Sequence, residues 1–150
     1  AAQVVEKQDA RFIVLGEGPQ RSMLESLRDQ LGLSDVVDFV GFQKNPAAWL
    51  AKASVFALSS RFEGSPNVLI EAMALGTPVV ATDCPSGPSE ILDHGHLAPL
   101  VPIADPAPLA QAILTTLQQP TDTARLQRAV EAYRAPISAR QYLAILADPV

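Results

Sequence analysis

Short apolar, β-branched runs alternate along this chain with segments whose apolar residues recur every three or four positions. Phe12 to Leu15 (FIVL) predicts a strand that ends at the glycine turn GEGP. Pro19 to Leu31 predicts a helix, with Met23, Leu27 and Leu31 on one face and Gly32 as its stop. Val36 to Phe42 predicts the second strand. Asn45-Pro46, a cap followed by a first-turn proline, opens a helix reaching about Ala53. Ser54 to Ser59 predicts the third strand, and Ser65-Pro66 opens a helix that ends near Gly76. Pro78 to Thr82 predicts the fourth strand, Pro88 to Leu92 a short helix, and Ala98 to Val101 a fifth strand. Beyond this point the pattern is helical only. Asp105-Pro106 caps a helix carrying Leu109, Ile113 and Leu117, and Thr121 to Tyr133 and Ser138 to Leu146 follow.

Strands that alternate with helices pair in parallel and are covered on both faces, so the fold class is α/β with a helical C-terminal appendage from about residue 105. The 150 residues suffice for one domain, and 48% apolar content is that of a folded chain. Formal net charge is -5, and the 11 Lys and Arg are scattered, whereas a nucleic-acid surface needs a basic stripe. That balance is compatible with a nucleotide, which needs only a few placed groups. A single cysteine, Cys84, allows no internal disulfide and makes a reducing compartment the expectation. No apolar run reaches the roughly 20 residues of a spanning helix, and no signal peptide is visible. The opening AAQVVEKQDA reads as mid-helix, and an excised piece of a longer protein is expected.

The candidate chemistry centres on Ser59 to Leu92, where Glu63 and Glu71 stand with seven residues between them. Ligands of open α/β sheets bind beyond the carboxyl ends of the strands, so the third strand delivers Arg61 to Ser65 into that crevice. The helix that follows offers unpaired N–H groups and a partial positive charge, a natural anion site. Gly64 permits close backbone approach. Glu71 lies five residues into the helix, roughly 7–8 Å along it at 1.5 Å per residue. A carboxylate there can accept from two vicinal hydroxyls of a group attached to the anion. The plainer alternative is that Glu is a good helix former and that two such residues recur by chance. Ala72, Ala74 and Gly76 suggest a tightly packed helix on which an idle charge would be costly. The residues alone lead only to an anion and polyol site.

The segment FEGSPNVLIEAMALGTPVVATD resembles the signature of the group 1 (family 4) retaining glycosyltransferases, E-G-x(6)-E-A-M-A-x-G-x-P-V-V-A. Flanking segments, FIVLGEGPQRSMLESLRDQLGLSDVVDFVGF and SGPSEILDHGHLAPLVPIADPAPLAQAILTTL, are similar too, so the likeness covers Arg11 to about Leu117. It implies one Rossmann-like half of a GT-B enzyme, the C-terminal domain that binds a nucleotide sugar, with a UDP-sugar favoured and a GDP-sugar the alternative. By position, Glu71 would hold the ribose hydroxyls and Glu63 the donor sugar. Backbone from Gly64, Ser65, Pro66, Asn67 and Val68 would meet the sugar and diphosphate. Gly41 and Phe42 would meet the base, with Gly16 a further contact, although Gly16-Glu17-Gly18 also fits an ordinary strand-to-helix turn.

Two departures stand out. The family's Arg and Lys on the diphosphate belong to a first strand that would precede Ala1, and Lys44, Lys52 and Arg61 do not occupy those positions. Where many members read E-G-F-G, this chain reads Glu63-Gly64-Ser65-Pro66, a form similar to bacterial enzymes of polysaccharide and lipid-linked oligosaccharide synthesis. The resemblance further implies a glycan or lipid-linked acceptor held by an N-terminal domain, a cytoplasmic parent enzyme touching the inner membrane face, and no cofactor. No metal is expected, since no Asp-x-Asp pair occurs. His94 and His96 read as surface loop, Cys84 as a structural thiol, Trp49 as packing, and Asp83 as a turn residue or a ligand contact. A non-catalytic α/β binding module and a sugar-nucleotide epimerase of the same architecture are the rival readings.

Overall fold

The computed structural model describes residues 1–147. In chain order the elements are α1 (Ala2–Val5), β1 (Phe12–Leu15), α2 (Arg21–Gln30), β2 (Val37–Gly41), α3 (Pro46–Leu50), β3 (Phe56–Leu58), α4 (Asn67–Ala74), β4 (Val79–Thr82), α5 (Pro88–Ile91), β5 (Leu100–Val101), α6 (Pro106–Gln118), α7 (Thr123–Ala129) and α8 (Ala135–Ala147). Every expected strand and helix forms, with shorter bounds at most ends. The last helix instead begins earlier, at Ala135, and a short turn at Glu131–Tyr133 parts it from α7. None of the helices is long and apolar enough to cross a membrane among the described residues.

All strand pairs are parallel. The sheet runs in two segments, β1-β2 and β3-β4-β5, rather than in one ladder. In the first, Phe12 faces Val37 and Val14 faces Phe39, with a register shift before Leu15 meets Gly41. In the second, Phe56 faces Val79, Leu58 faces Ala81, and Thr82 faces Val101. β4 is buried along its whole length, as a central strand covered on both faces must be.

The period of two along β4 sorts its side chains between two cores. Val79 and Ala81 pack with Leu50 of α3, Leu69, Ala72 and Met73 of α4, and Leu126 of α7. Val80 points the other way, to Val4 of α1 and Ala110, Ile113 and Leu114 of α6. Phe12 of β1 and Val55 just before β3 both reach this second core, which ties the two sheet segments together. The helices therefore lie on both faces, as the alternation of elements predicts.

Three helix starts are closed by side chains. Asn45 accepts from the Ala48 N–H, Asp105 from Ala107 and Asp122 from Arg125. The start of α4 has neither a side-chain cap nor an acidic residue in its first turn.

Candidate functional site

The loop between β3 and α4 carries Glu63 and is seated on the segment that follows β4. Thr82, itself buried, donates its hydroxyl to the Ser60 carbonyl at 2.6 Å. Ser60 in turn donates to Glu63 Oε1 at 2.6 Å. The Ser86 hydroxyl faces the Glu63 carbonyl at 2.8 Å and the Pro85 carbonyl at 2.7 Å. Gly87 closes the contact. A Cβ there would stand 2.6 Å from Pro66 Cδ and 3.2 Å from the Gly64 carbonyl. Its φ of +79° also lies where side chains are strained. Cys84 is buried beneath the loop, and that burial, with the Glu63 and Asp83 carboxylates nearby, pushes its thiol pKa up. A thiol so placed is not poised as a nucleophile.

At the other end of the loop, Pro66 is buried while Gly64, Ser65 and Asn67 are exposed and Val68 is half-buried. The Asn67 N–H turns back to the Ser65 carbonyl at 2.9 Å, and the Leu69 N–H to the Pro66 carbonyl at 2.9 Å. α4 begins at Asn67, one to two residues later than the Ser65-Pro66 start expected from sequence, because Pro66 takes the cap position with φ -75° and ψ 81°.

One expectation is corrected here. Glu71 is exposed rather than set in a tightly buried helix. At 100° per residue, Leu69, Ala72 and Met73 share the inward face, and Glu71 falls with Asn67 and Ala74 on the outward one. Of the small residues around it, Ala72 faces inward while Ala74 is exposed beside Glu71, so the argument from a costly buried charge does not apply. Exposure leaves Glu71 accessible to a ligand, on the same face as Asn67 four residues earlier.

Gly16, Gly41 and Phe42 form a separate group. The Gly16 N–H donates to the Gly41 carbonyl at 2.8 Å, joining the ends of β1 and β2. Gly41 is buried at φ +71°, and a Cβ there would sit 2.6 Å from Glu17 Oε1. Phe42 projects into solvent, 75% exposed. Arg21, which the sequence reading passed over, braces this corner. It reaches Glu17, Glu25 at 2.9 Å and the Phe39 carbonyl at 2.9 Å. The four-residue spacing of Glu17, Arg21 and Glu25 was the available signal. No hydrogen bond links this group to the Glu63 loop among the described residues. Ser60, Thr82, Ser86 and Gly87 were likewise passed over, and their partners lie more than twenty residues away in sequence for Thr82 and Ser86.

Of the remaining residues, His94 meets Ser89 at 3.1 Å in a turn with φ +53°. No cluster of three His, Cys, Asp or Glu that could hold a metal occurs among the described residues. The exposed Asp83 gives its N–H to the Val101 carbonyl. Lys44, Lys52 and Arg61 are exposed and enter no ion pair among the described residues.

A parallel α/β sheet with an uncapped helix start beside a carboxylate loop defines an open-sheet domain suited to an anionic ligand. The family model described as Glycosyl transferases group 1 matches residues 1–119. The chain belongs to that family. It is 37% identical over 112 residues to the N-acetylgalactosamine-N,N'-diacetylbacillosaminyl-diphospho-undecaprenol 4-alpha-N-acetylgalactosaminyltransferase of Campylobacter jejuni, covering 75% of this chain and 31% of that protein. It is 35% identical over 123 residues to the lipopolysaccharide core biosynthesis glycosyltransferase LpsD of Rhizobium meliloti, covering 82% and 36%. The fold is shared with S. aureus TarM, solved with fondaparinux, alpha-GlcNAc-glycerol and UDP, at a TM-score of 0.82 and 23% identity over 99% of this chain and 31% of TarM. The architecture matches that of GT-B glycosyltransferase neighbours, and the chain spans about a third of the length of these relatives.

Proposed function

We propose that this chain is the donor-binding half of a retaining glycosyltransferase that moves a sugar from a UDP-sugar to a glycan or lipid-linked acceptor. The observation that carries the reading is the Glu63 loop leading into the uncapped start of α4, inside a segment that bears the family signature. In this proposal Glu71 accepts from the ribose hydroxyls and Glu63 from the donor sugar. The N–H groups of Gly64, Ser65 and Val68, at the positive end of α4, face the diphosphate, while Pro66 has no N–H and that of Asn67 turns back to the Ser65 carbonyl. Gly41 and Phe42 meet the base, and Gly16 lies beside them through its bond to Gly41. The leaving diphosphate assists the incoming hydroxyl, so stabilising its charge is the main electrostatic task of the site. The two glutamates position the donor rather than act as acid and base. No metal has a role in this scheme.

The acceptor class is supported by the relatives, one of which is named for a diphospho-undecaprenol substrate and another for lipopolysaccharide core synthesis. Work at the inner membrane face, from the cytoplasm, follows for the parent enzyme in this scheme. The acceptor site and the basic pair expected on the diphosphate would come from the rest of that enzyme. The 150-residue chain alone is therefore expected to bind nucleotide weakly and to transfer no sugar. Titration of the labelled chain with UDP, followed by NMR, tests the reading. Shifts concentrated on Gly64 to Glu71 are expected, and an unperturbed α4 would refute it.

A further inference from the structure

We propose that Ser60 is a positioning residue that aims the Glu63 carboxylate, with Thr82, Ser86 and Gly87 as the base on which that aim is set. The inference rests on the reading of Glu63 as the donor-sugar contact and adds how that contact is held. Arg61, Phe62, Gly64 and Ser65 are all exposed, so the loop's own residues supply little packing to fix a flexible side chain at its centre. The fixing comes from across the sheet.

The buried Thr82 hydroxyl stands 2.6 Å from the Ser60 carbonyl and 3.3 Å from that of Leu58, and its one proton serves the nearer oxygen. That sets the backbone at Ser60. The Ser60 hydroxyl then occupies Glu63 Oε1 at 2.6 Å. On the far side, Gly87 packs so closely against Pro66 and the Gly64 carbonyl that the loop has no room to settle lower. Ser86, at φ +62°, brings its hydroxyl within 2.8 Å of the Glu63 carbonyl and 2.7 Å of the Pro85 carbonyl, so its one proton is divided between them. One carboxylate oxygen of Glu63 is thereby held by Ser60, on a loop whose backbone is seated against Thr82 and Gly87.

The chemical consequence is directional. With Oε1 accepting from Ser60, the plane of the carboxylate is set, and Oε2, which has no donor among the described residues, is the oxygen with both lone pairs open to a ligand hydroxyl. A group held in this way before the ligand arrives loses less rotamer freedom on binding, which favours the sugar that places a hydroxyl along that one direction. Ser60 needs no contact with the ligand to exert this effect.

The test uses the full chain and reads the side chain itself. Three-bond scalar couplings of Glu63 are measured by NMR in the wild type, Ser60→Ala and Ser60→Thr, together with UDP affinity. The couplings should report one χ1 rotamer in the wild type, average in Ser60→Ala and return in Ser60→Thr, with UDP affinity changed less than twofold throughout. Unchanged couplings in Ser60→Ala would overturn the proposal. Averaging in both variants would overturn it too, since the hydroxyl would then not be the cause. The pair Thr82→Val and Thr82→Ser repeats the logic one bond further back, with averaging expected only in the valine variant. If the wild type bound no UDP, the nucleotide reading would fail while the couplings still decided the role of Ser60.

Discussion

The two segments of the sheet differ in burial among the described residues. Around β4, side chains on both faces are fully enclosed, with Leu69, Met73, Val79 and Val80 at 1% exposure or less. Around β1, Ile13 and Val14 are 38–39% exposed, and α2 buries none of its residues. Yet α2 and its C-cap carry an apolar stripe, Met23, Leu27 and Leu31, as regularly spaced as that of α6. A stripe states that a face is apolar and leaves open what covers it. The carboxylate loop grows from the enclosed segment, so the groups assigned to the sugar and diphosphate stand on the more deeply buried part of the fold. The corner assigned to the base rests on the looser part and is braced by Arg21 and by one backbone bond between Gly16 and Gly41.

This contrast can be broken by mutation. Met73→Ala, in the enclosed segment, is expected to cost about 2–5 kcal/mol by loss of transfer energy and creation of a cavity. Leu27→Ala on α2 should cost under about 1 kcal/mol, because the side chain is already 47% exposed. Urea denaturation of both variants would show whether the difference is real, and equal losses would erase it. Gly87→Ala comes next, at about 1–3 kcal/mol, combining a strained φ with a 2.6 Å clash against Pro66. A thermal melt measures the loss, and a variant as stable as wild type would mean that the loop can move away freely.

The smallest effect concerns the β1-β2 pair. Arg11 bridges to Asp38 at 2.6 Å, and its hydrogen bond holds the Asp38 carboxyl below the usual value of 3.8. A depressed carboxyl stabilises the fold above its unfolded pKa and loses that contribution as pH falls through the folded one. Stability should therefore drop as pH falls below about 4, and Asp38→Asn should flatten that part of the profile slightly. The exposed geometry keeps the effect small. Urea midpoints between pH 7 and pH 3 would reveal it, and identical slopes in both proteins would remove the bridge from the account.

How far the fold was readable follows the same division between local and distant information. Strands and helices came from local runs, and the caps at Asn45 and Asp105 were visible as single residues beside prolines. The split of the sheet was not visible, because strand pairing depends on neighbours far apart in the chain. Glu71 shows a different failure. Ala72, Ala74 and Gly76 suggested burial by composition, whereas of these three only Ala72 is buried and Ala74 is exposed on the same face as Glu71. In the site, Glu63, Gly64 and the start of α4 were legible through spacing and the family signature. Thr82 and Ser86 were not, since a serine or threonine gives no local sign of which distant carbonyl it will meet.

The central claim is that an exposed Glu71 grips a nucleotide without supporting the fold. Isothermal titration with UDP, comparing wild type, Glu71→Ala and the exposed control Glu6→Ala, tests it most directly. The account predicts that Glu71→Ala keeps its melting temperature and loses at least about tenfold in affinity, roughly 1.4 kcal/mol, while Glu6→Ala changes neither. UDP binding that survives Glu71→Ala at wild-type strength would contradict it.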